Sequence, residues 1–164
     1  MEQPQRHSRA SNLNVALVEP SFLNEREVDL LMEAARQHRW GHRDATAILV
    51  AYLHGLRASE LVALRWTDVD LTTGRLRIRR SKSGAASVHP ISPQESLALR
   101  RLRDEAVAAR YVFVSEYGDP FRAMGFERMI ARAAAEAGFG FVVRSRMLRR
   151  DLALDPAAEP SIRQ

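Results

Sequence analysis

The stretch His54-Gly55-Leu56-Arg57-Ala58-Ser59-Glu60-Leu61 joins two helical patterns and decides how the chain folds on either side of it. Residues 44–54 before it carry a strongly apolar helix pattern, and Gly55 is a residue type favoured just beyond a helix end. Residues 58–65 after it predict a short third helix. The stretch therefore predicts a helix–helix corner between two buried faces, with Arg57 in the corner.

Arg57 has two interpretations on its position alone. A guanidinium carries five N–H donors in a fixed plane, which suits a phosphate near a helix N-terminus, and arginine is seldom enclosed without an anion. The alternative is a structural arginine that pairs with Glu60 or with another carboxylate. Spacing does not decide between a binding residue and a structural one.

Composition limits the class of protein. A chain of 164 residues with 46% apolar and 27% charged residues predicts one ordinary folded domain, and the absence of cysteine excludes disulfides, Cys-based metal sites and a Cys nucleophile. No apolar run approaches the roughly 18 residues of a membrane span, and the polar first 14 residues lack a signal-peptide core, so we expect a cytoplasmic protein without a membrane partner. The net charge of +5 is almost all arginine, because Lys82 is the only lysine, and it favours a polyanionic partner modestly.

The periodicity predicts an α+β fold, mostly helical, with a small three-stranded antiparallel sheet. We expect a disordered lead over residues 1–21, one domain over 22–154 and a disordered tail over 155–164. Asn24 and Glu27 predict a capping box for a first helix that ends near Gln37, followed by a polar loop over 38–43. The inward residues expected for the first two helices are Val28, Leu31, Met32 and Ala35, then Ala45, Ile48, Leu49, Tyr52 and Leu53.

After residue 74, apolar residues recur at every second position, which is the spacing of a strand. Leu76 and Ile78 alternate with arginines at 75, 77 and 79, which predicts a strand with an apolar face and a basic face. Residues 81–84 predict a hairpin turn, residues 87–91 the return strand and residues 68–71 a short first strand.

Helical patterns return in the second half. Ser92, Pro93 and Glu95 predict the start of a helix that runs to about Ala109. Residues 112–114 predict a buried extended segment and residues 118–120 a turn. A clear helical stripe follows, and a last short helix is expected from Ser145 to Leu154. The stripe consists of Phe126, Met129, Ile130, Ala133, Ala134 and Ala137, closed by Gly138.

The corner stretch resembles the first signature of the tyrosine recombinase (phage integrase) family. That signature is Gly-hydrophobic-Arg-x-Ser-Glu-Leu followed by Leu-x-Trp-x-Asp-hydrophobic, and Leu64-Arg65-Trp66 with Asp68-Val69-Asp70 supply the second part. The resemblance covers roughly residues 22–149. It implies the integrase catalytic-domain fold without its last helices, with Arg57 on the scissile phosphate and the neighbouring Glu helping to orient the site.

Lys82 is the second candidate. A lone lysine at a hairpin tip is usually a solvated turn residue, although it is well placed to reach a DNA backbone. The resemblance implies that Lys82 is the general acid toward the leaving 5′ oxygen. The return strand His89-Pro90-Ile91 is similar to that of the single-domain fimbrial phase-variation recombinases, and residues 112–120 match the next landmark of the family.

The third signature is altered. The family has His-x-Leu-Arg-His, and this chain has Arg146-Met147-Leu148-Arg149-Arg150. The resemblance implies that Arg149 contacts the phosphate. Arg146, at the family His position, can bind an anion but cannot transfer a proton near neutral pH. The arginines expected to bind DNA around these catalytic positions are Arg75, Arg77, Arg79, Arg80, Arg144 and Arg150.

The nucleophile of the family has no counterpart in this sequence. The resemblance implies a tyrosine well downstream of the third signature, whereas Tyr52, Tyr111 and Tyr117 all lie upstream and the 15 residues after Arg149 contain no Tyr, His or Trp. We expect a truncated or frame-shifted tyrosine recombinase of site-specific DNA recombination and integration, which binds double-stranded DNA but does not cleave it alone. No metal ion or cofactor is implied, because arginine and lysine neutralise the phosphate. The alternatives are a tyrosine supplied by another recombinase protomer, or an interaction scaffold with no DNA role.

Overall fold

Two paired helices begin the part of the chain that the computed structural model describes, which is residues 19–80 and 85–149. Helix α1 (Glu25–Arg36) starts at the predicted capping box, where Asn24 Oδ1 accepts from the Glu27 N–H at 2.8 Å and Glu27 Oε1 accepts from the Asn24 N–H at 3.1 Å. Its buried residues are the four predicted ones. Local capping and periodicity are therefore sufficient to place α1.

Helix α2 (Gly41–His54) starts earlier than predicted and is buried on more than one side. The prediction of a polar loop over 38–43 is wrong for residues 41–43, because a Cβ at Gly41 would lie 2.2 Å from Arg36 O and the glycine lets the helix begin against α1. The predicted face is wrong at Leu53, whose side chain is exposed, while Val50 and Ala51 on other faces are buried. Helix α2 is thus the central helix, and both of its ends lie at charged corners.

Helix α3 (Ala58–Val62) is shorter than the predicted 58–65. The chain leaves the helix after Val62 because the Val112 N–H bonds to Leu64 O at 3.0 Å and the Trp66 N–H bonds to Arg110 O at 3.1 Å. A 3-10 turn over Trp66–Asp68 follows. Hydrogen bonds to the extended segment 110–112 therefore end this helix, and sequence periodicity gives no sign of a contact between residues so far apart.

The sheet is the predicted three-stranded antiparallel one, in the order β1-β2-β3. Strand β1 (Val69–Asp70) is very short, β2 is Arg75–Arg79, and β3 is Ala86–Pro90, one residue earlier than predicted. The alternation on β2 is confirmed, since its two apolar side chains are buried and its three arginines are exposed. The predicted turn over 81–84 lies outside the described residues.

Two later helices complete the core. Helix α4 (Pro93–Glu105) begins at the predicted Ser92 cap but ends four residues before the predicted Ala109. Helix α5 (Ala123–Glu136) buries its predicted stripe except for Ala137, which lies beyond the helix and is half-buried. A 3-10 turn over Ser145–Leu148 stands where a longer helix was predicted, and residues beyond 149 lie outside the described part. No helix of the described ranges has the length and apolar character that crossing a membrane requires.

Candidate nucleic-acid interface

The carbonyl of Gly55 joins three distant parts of the chain. Gly55 ends α2 in the left-handed conformation (φ 60°, ψ 43°), so its carbonyl is not used by the helix. Arg80 Nη1 donates to this oxygen at 3.4 Å and Arg149 Nε at 3.1 Å. A helix C-terminus carries partial negative charge, which favours such guanidiniums. Arg80, which follows β2, and Arg149 of the third signature therefore both bond to Gly55, two positions before Arg57 in the chain.

Glu60 is the buried anion of this corner. Its side chain is only 3% exposed, and Oε2 accepts from Arg80 Nη1 at 3.0 Å. Glu60 Oε1 lies 3.9 Å from Arg57 Nε, which is an ion pair too long for a hydrogen bond. Arg80, which the sequence placed only among the DNA contacts, is therefore the principal partner of Glu60.

Arg57 is not enclosed, and the expectation that it lies between buried faces is wrong. Its side chain is 43% exposed, because the corner turns it toward solvent while Leu56 and Leu61 fill the interior. Within residues 19–80 and 85–149, no acceptor lies within hydrogen-bonding distance of its guanidinium. None of the five N–H donors of Arg57 is therefore used by a hydrogen bond to the described residues.

The β2 arginines form a basic outer face on the sheet. Arg75, Arg77 and Arg79 lie opposite Pro90, Val88 and Ala86 of β3 in the pairing register, so these two strands place no acidic side chain on that face. Arg79 Nη2 lies 3.5 Å from Asp68 Oδ1, yet its side chain remains 65% exposed. This face adds exposed cationic side chains to those of the corner.

The third signature has buried apolar side chains that pack on the core and exposed arginines that face solvent. Met147 and Leu148 are buried, and Glu127 of α5 accepts from both the backbone N–H and the hydroxyl of Ser145. Arg144 and Arg146 are consequently exposed and Arg149 is half-buried. The predicted positions Lys82 and Arg150 lie outside the described residues.

A hydrogen-bonded chain of two histidines and a glutamate was missed by the sequence analysis. His54 Nε2 lies 2.5 Å from Glu95 Oε1, His54 Nδ1 lies 3.1 Å from His89 Nδ1, and His89 Nε2 lies 3.1 Å from Ser87 Oγ. Burial, followed by the nearby His54 and Arg80 charges, lowers the pKa of His89. No local signal identifies this cluster, because its members are 35 and 41 residues apart and Glu95 is already explained as a helix cap. In the described part of the chain no group of three His, Cys, Asp or Glu residues is arranged to hold a metal ion.

The other end of α2 also carries arginines, around a cavity of about 470 Å³. Each has a carboxylate partner within 4 Å, so this cavity is balanced in charge. The pairs are Arg36–Glu33, Arg39–Glu116, Arg43–Asp44 and Arg101–Glu105. The corner at Gly55 differs from this cavity, because Arg57 and Arg80 share the single carboxylate of Glu60 and Arg149 is bonded to a carbonyl.

In the part of the chain that the structure describes, five α-helices and a small antiparallel sheet, with arginines gathered from two signatures, form the catalytic-domain fold of a tyrosine recombinase. The chain belongs to the phage integrase family, whose model matches residues 21–156. It is 37% identical over 134 residues to type 1 fimbriae regulatory protein FimE of Escherichia coli (strain K12), covering 78% of this chain and 68% of that protein. The predicted family is confirmed.

Solved structures confirm the predicted fold class. XerA recombinase superposes with a TM-score of 0.70 at 28% identity, over 79% of this chain and 48% of that protein. The lambda integrase catalytic core superposes with a TM-score of 0.66 at 21% identity, over 79% of each chain. This chain thus spans about half the length of XerA recombinase.

Proposed function

We propose that this chain binds double-stranded DNA at the α2–α3 corner and serves site-specific DNA recombination, with Arg57 and Arg149 holding a backbone phosphate. The observation that carries the proposal is the state of Arg57, which is exposed and without an acceptor in the described residues while Arg80 occupies Glu60. A planar guanidinium with unused donors favours bidentate binding of a phosphate.

The charge of the corner supports an anionic ligand. Arg57 and Arg80 lie at the one carboxylate of Glu60, and Arg149 is bonded to Gly55 O, so among the described residues three guanidiniums meet one carboxylate at this corner. Such preorganised donors stabilise a phosphate most strongly, because they need no rearrangement when it arrives.

The relatives support DNA as the source of that phosphate. Structures of the same fold include a lambda integrase dimer bound to a core site and XerH recombinase bound to its difH substrate. The β2 arginines with Arg144 and Arg146 would extend the contact along the backbone. We propose that Lys82, as the general acid, and Arg150 join them there.

We further propose that this chain alone does not form a covalent link to DNA. The ring of Tyr111 lies beneath the guanidinium of Arg65 at 5.6 Å, Tyr117 is in the exposed turn whose backbone N–H bonds to Ser115, and Tyr52 belongs to the middle of α2. Each of these tyrosines is thus part of a structural element before the third signature. A nucleophile from another protomer would complete the reaction.

The test is a salt titration of duplex binding. A fluorescein-labelled duplex is titrated with the chain at NaCl concentrations from 50 to 200 mM, and the slope of log K against log salt counts the phosphate contacts at about 0.9 each. We expect Arg57→Ala to weaken binding by roughly tenfold and to reduce the slope by about 1.

Arg36→Ala is the matched control, because its side chain is 46% exposed, like that of Arg57, but is bonded to Glu33. Equal losses in the two variants, or no duplex binding at 50 mM NaCl, would contradict the proposal. On a nicked suicide duplex we expect no covalent adduct in denaturing gels. An adduct formed by this chain alone would overturn the view that it lacks a nucleophile.

A further inference from the structure

We propose that His54 and His89 are positioning residues, which hold the β2–β3 hairpin on the α2–α3 corner and release it when both imidazoles are fully protonated. This role rests on the proposed function, because the hairpin carries the arginines assigned to DNA. The pair touches no phosphate in this proposal and acts through the hairpin alone.

The hairpin is attached to the corner through both of its strands. Beyond the end of β2, Arg80 bonds to Gly55 O and to Glu60. On β3, His89 pairs with Leu76 in the register and therefore shares the inner face of the sheet, where it meets His54, the last residue of α2. Both described strands of the hairpin are therefore fixed to the corner.

The hydrogen-bond chain fits two charge states of the imidazole pair, one neutral and one with a single positive charge. Glu95 accepts at both oxygens, from His54 Nε2 and from the Ser92 N–H at 2.9 Å, so Nε2 of His54 carries a proton. The two Nδ1 atoms then need one proton between them. With that proton on His89, both imidazoles are neutral and Ser87 Oγ donates to His89 Nε2. With it on His54, which is then an imidazolium, His89 Nε2 carries its own proton and donates to Ser87.

A further proton on the charged form, which makes both rings imidazolium, breaks this arrangement. Two fully protonated imidazoles would direct N–H groups at each other across 3.1 Å and carry like charges. The groups around His89 are His54 of α2, Glu95 of α4, Ser87 of β3 and Arg80 beyond β2. Only Glu95 is an anion, and it is already bonded twice, so it cannot turn to neutralise a second cation.

The expected consequence is that mild acid separates β3 from α2 while the rest of the fold stays intact. Burial and the neighbouring cations lower the pKa of His89, which places this release below the ordinary histidine range. The outer-face arginines then lose their fixed position relative to Arg57, and DNA binding loses phosphate contacts.

The experiment compares the full chain with His89→Asn, whose amide can donate to His54 Nδ1 but does not titrate. Hydrogen exchange detected by mass spectrometry is measured at pH 7.5 and 5.5, with exchange times scaled for the intrinsic pH dependence. In the wild-type chain we expect peptides covering residues 75–90 to lose protection at pH 5.5, while α5 keeps its protection and shows that the fold is intact. In His89→Asn we expect the hairpin to stay protected at both pH values.

His42→Asn is the matched control, because His42 Nε2 bonds to Ala98 O at 2.9 Å and joins the same two helices, α2 and α4, away from the hairpin. We expect His42→Asn to behave like the wild-type chain. Equal acid sensitivity of the hairpin in the wild-type chain and in His89→Asn would overturn the proposal. Acid stability of the hairpin in the wild-type chain would overturn it as well.

Duplex binding separates this inference from the proposed function. We expect the salt slope of the wild-type chain to fall between pH 7.5 and 5.5 by about 0.9 for each lost phosphate contact, and that of His89→Asn to stay constant. If the duplex does not bind at any pH but the hairpin still opens in acid, the DNA function fails and the positioning role stands. If the duplex binds with the same slope at both pH values, the positioning role fails and the DNA function stands.

Discussion

The two ends of helix α2 carry similar residues in opposite states. At the N-terminal end, Asp44 is buried and accepts from Arg43 at 3.0 and 2.9 Å, with Arg132 3.6 Å away. At the C-terminal end, Glu60 is buried and accepts from Arg80 at 3.0 Å, with Arg57 3.9 Å away. Each end has a buried carboxylate between two arginines, one of them exposed, and the C-terminal end adds a third guanidinium, that of Arg149 at Gly55 O.

The difference lies in how the guanidiniums are used. Arg43 is 12% exposed, donates from Nη1 to Val114 O at 3.0 Å and stacks 4.4 Å above the ring of Phe121. Arg57 is exposed and has no acceptor among the described residues, and Arg149 adds another guanidinium at Gly55. An arginine whose donors are all satisfied inside the protein supports the fold, whereas an excess of guanidiniums over carboxylates creates a site for an external anion.

The largest expected effect is at the balanced end. Asp44→Ala leaves Arg43 buried without its anion, so we expect the free energy of unfolding to fall by about 3–5 kcal/mol, measured by urea denaturation. Glu33→Ala, which removes an exposed partner of Arg36, should change it by less than about 0.5 kcal/mol. A loss below about 1 kcal/mol for Asp44→Ala would contradict the structural role of this pair.

The glycines at the two ends of α2 should rank next, for different reasons. A Cβ at Gly41 would lie 2.2 Å from the backbone oxygen of Arg36, so Gly41→Ala must separate α1 from α2 and should cost about 3 kcal/mol. Gly55 has open space around it but a φ of 60°, so Gly55→Ala should cost about 1–2 kcal/mol and Gly55→Asn less. Thermal unfolding of the three variants measures this order, and equal losses for the two alanine variants would refute it.

A smaller effect is expected from pH at the hairpin end. The pKa of His89 is lowered by burial and by the His54 and Arg80 charges, so below about pH 6.5 the unfolded chain binds a proton that the native chain resists. The stability contributed by neutral His89 is therefore present above that pH and is lost as the pH falls. We expect urea unfolding of His89→Asn to weaken less between pH 7.5 and 5.5 than that of the wild-type chain, and parallel losses would contradict this.

Asp44 should act with the opposite sign in a more acidic range. Burial, opposed by Arg43 and Arg132, raises the pKa of Asp44, so the native chain holds this proton at a higher pH than the unfolded chain does. Its contribution favours folding below the native pKa and is lost as the pH rises through it. The contributions of Asp44 and His89 to the stability of the fold therefore depend on pH with opposite sign.

The smallest expected effect is that of Arg57→Ala on stability. The side chain is exposed and its ion pair with Glu60 is long, so we expect the free energy of unfolding to change by less than about 0.5 kcal/mol, measured by urea denaturation. A loss above about 1 kcal/mol would make Arg57 a structural partner of Glu60, like Arg43 for Asp44.

The parts of the fold that depend on neighbouring residues were predictable from the sequence. Capping boxes at Asn24 and Ser92, the alternation on β2 and the stripe on α5 each involve residues a few positions apart, and the structure confirms them. The start of α2 and the ends of α3 and α4 were wrong. For α3 the deciding contact comes from a distant segment around Val112, and for α2 it is the close approach of Gly41 to the backbone at the end of α1, which periodicity does not report.

The candidate site divides in the same way. By itself, the sequence determined the family, the placement of Arg57 after a left-handed Gly55, and the identity of Arg149 within the third signature, because these are matters of local order and spacing. Only the tertiary structure decided that Arg80 is bonded to Glu60, that Arg57 is left open, and that two histidines meet beneath the hairpin. Which donors remain free depends on how residues far apart in the chain satisfy one another when they are brought together, and no local pattern records that outcome.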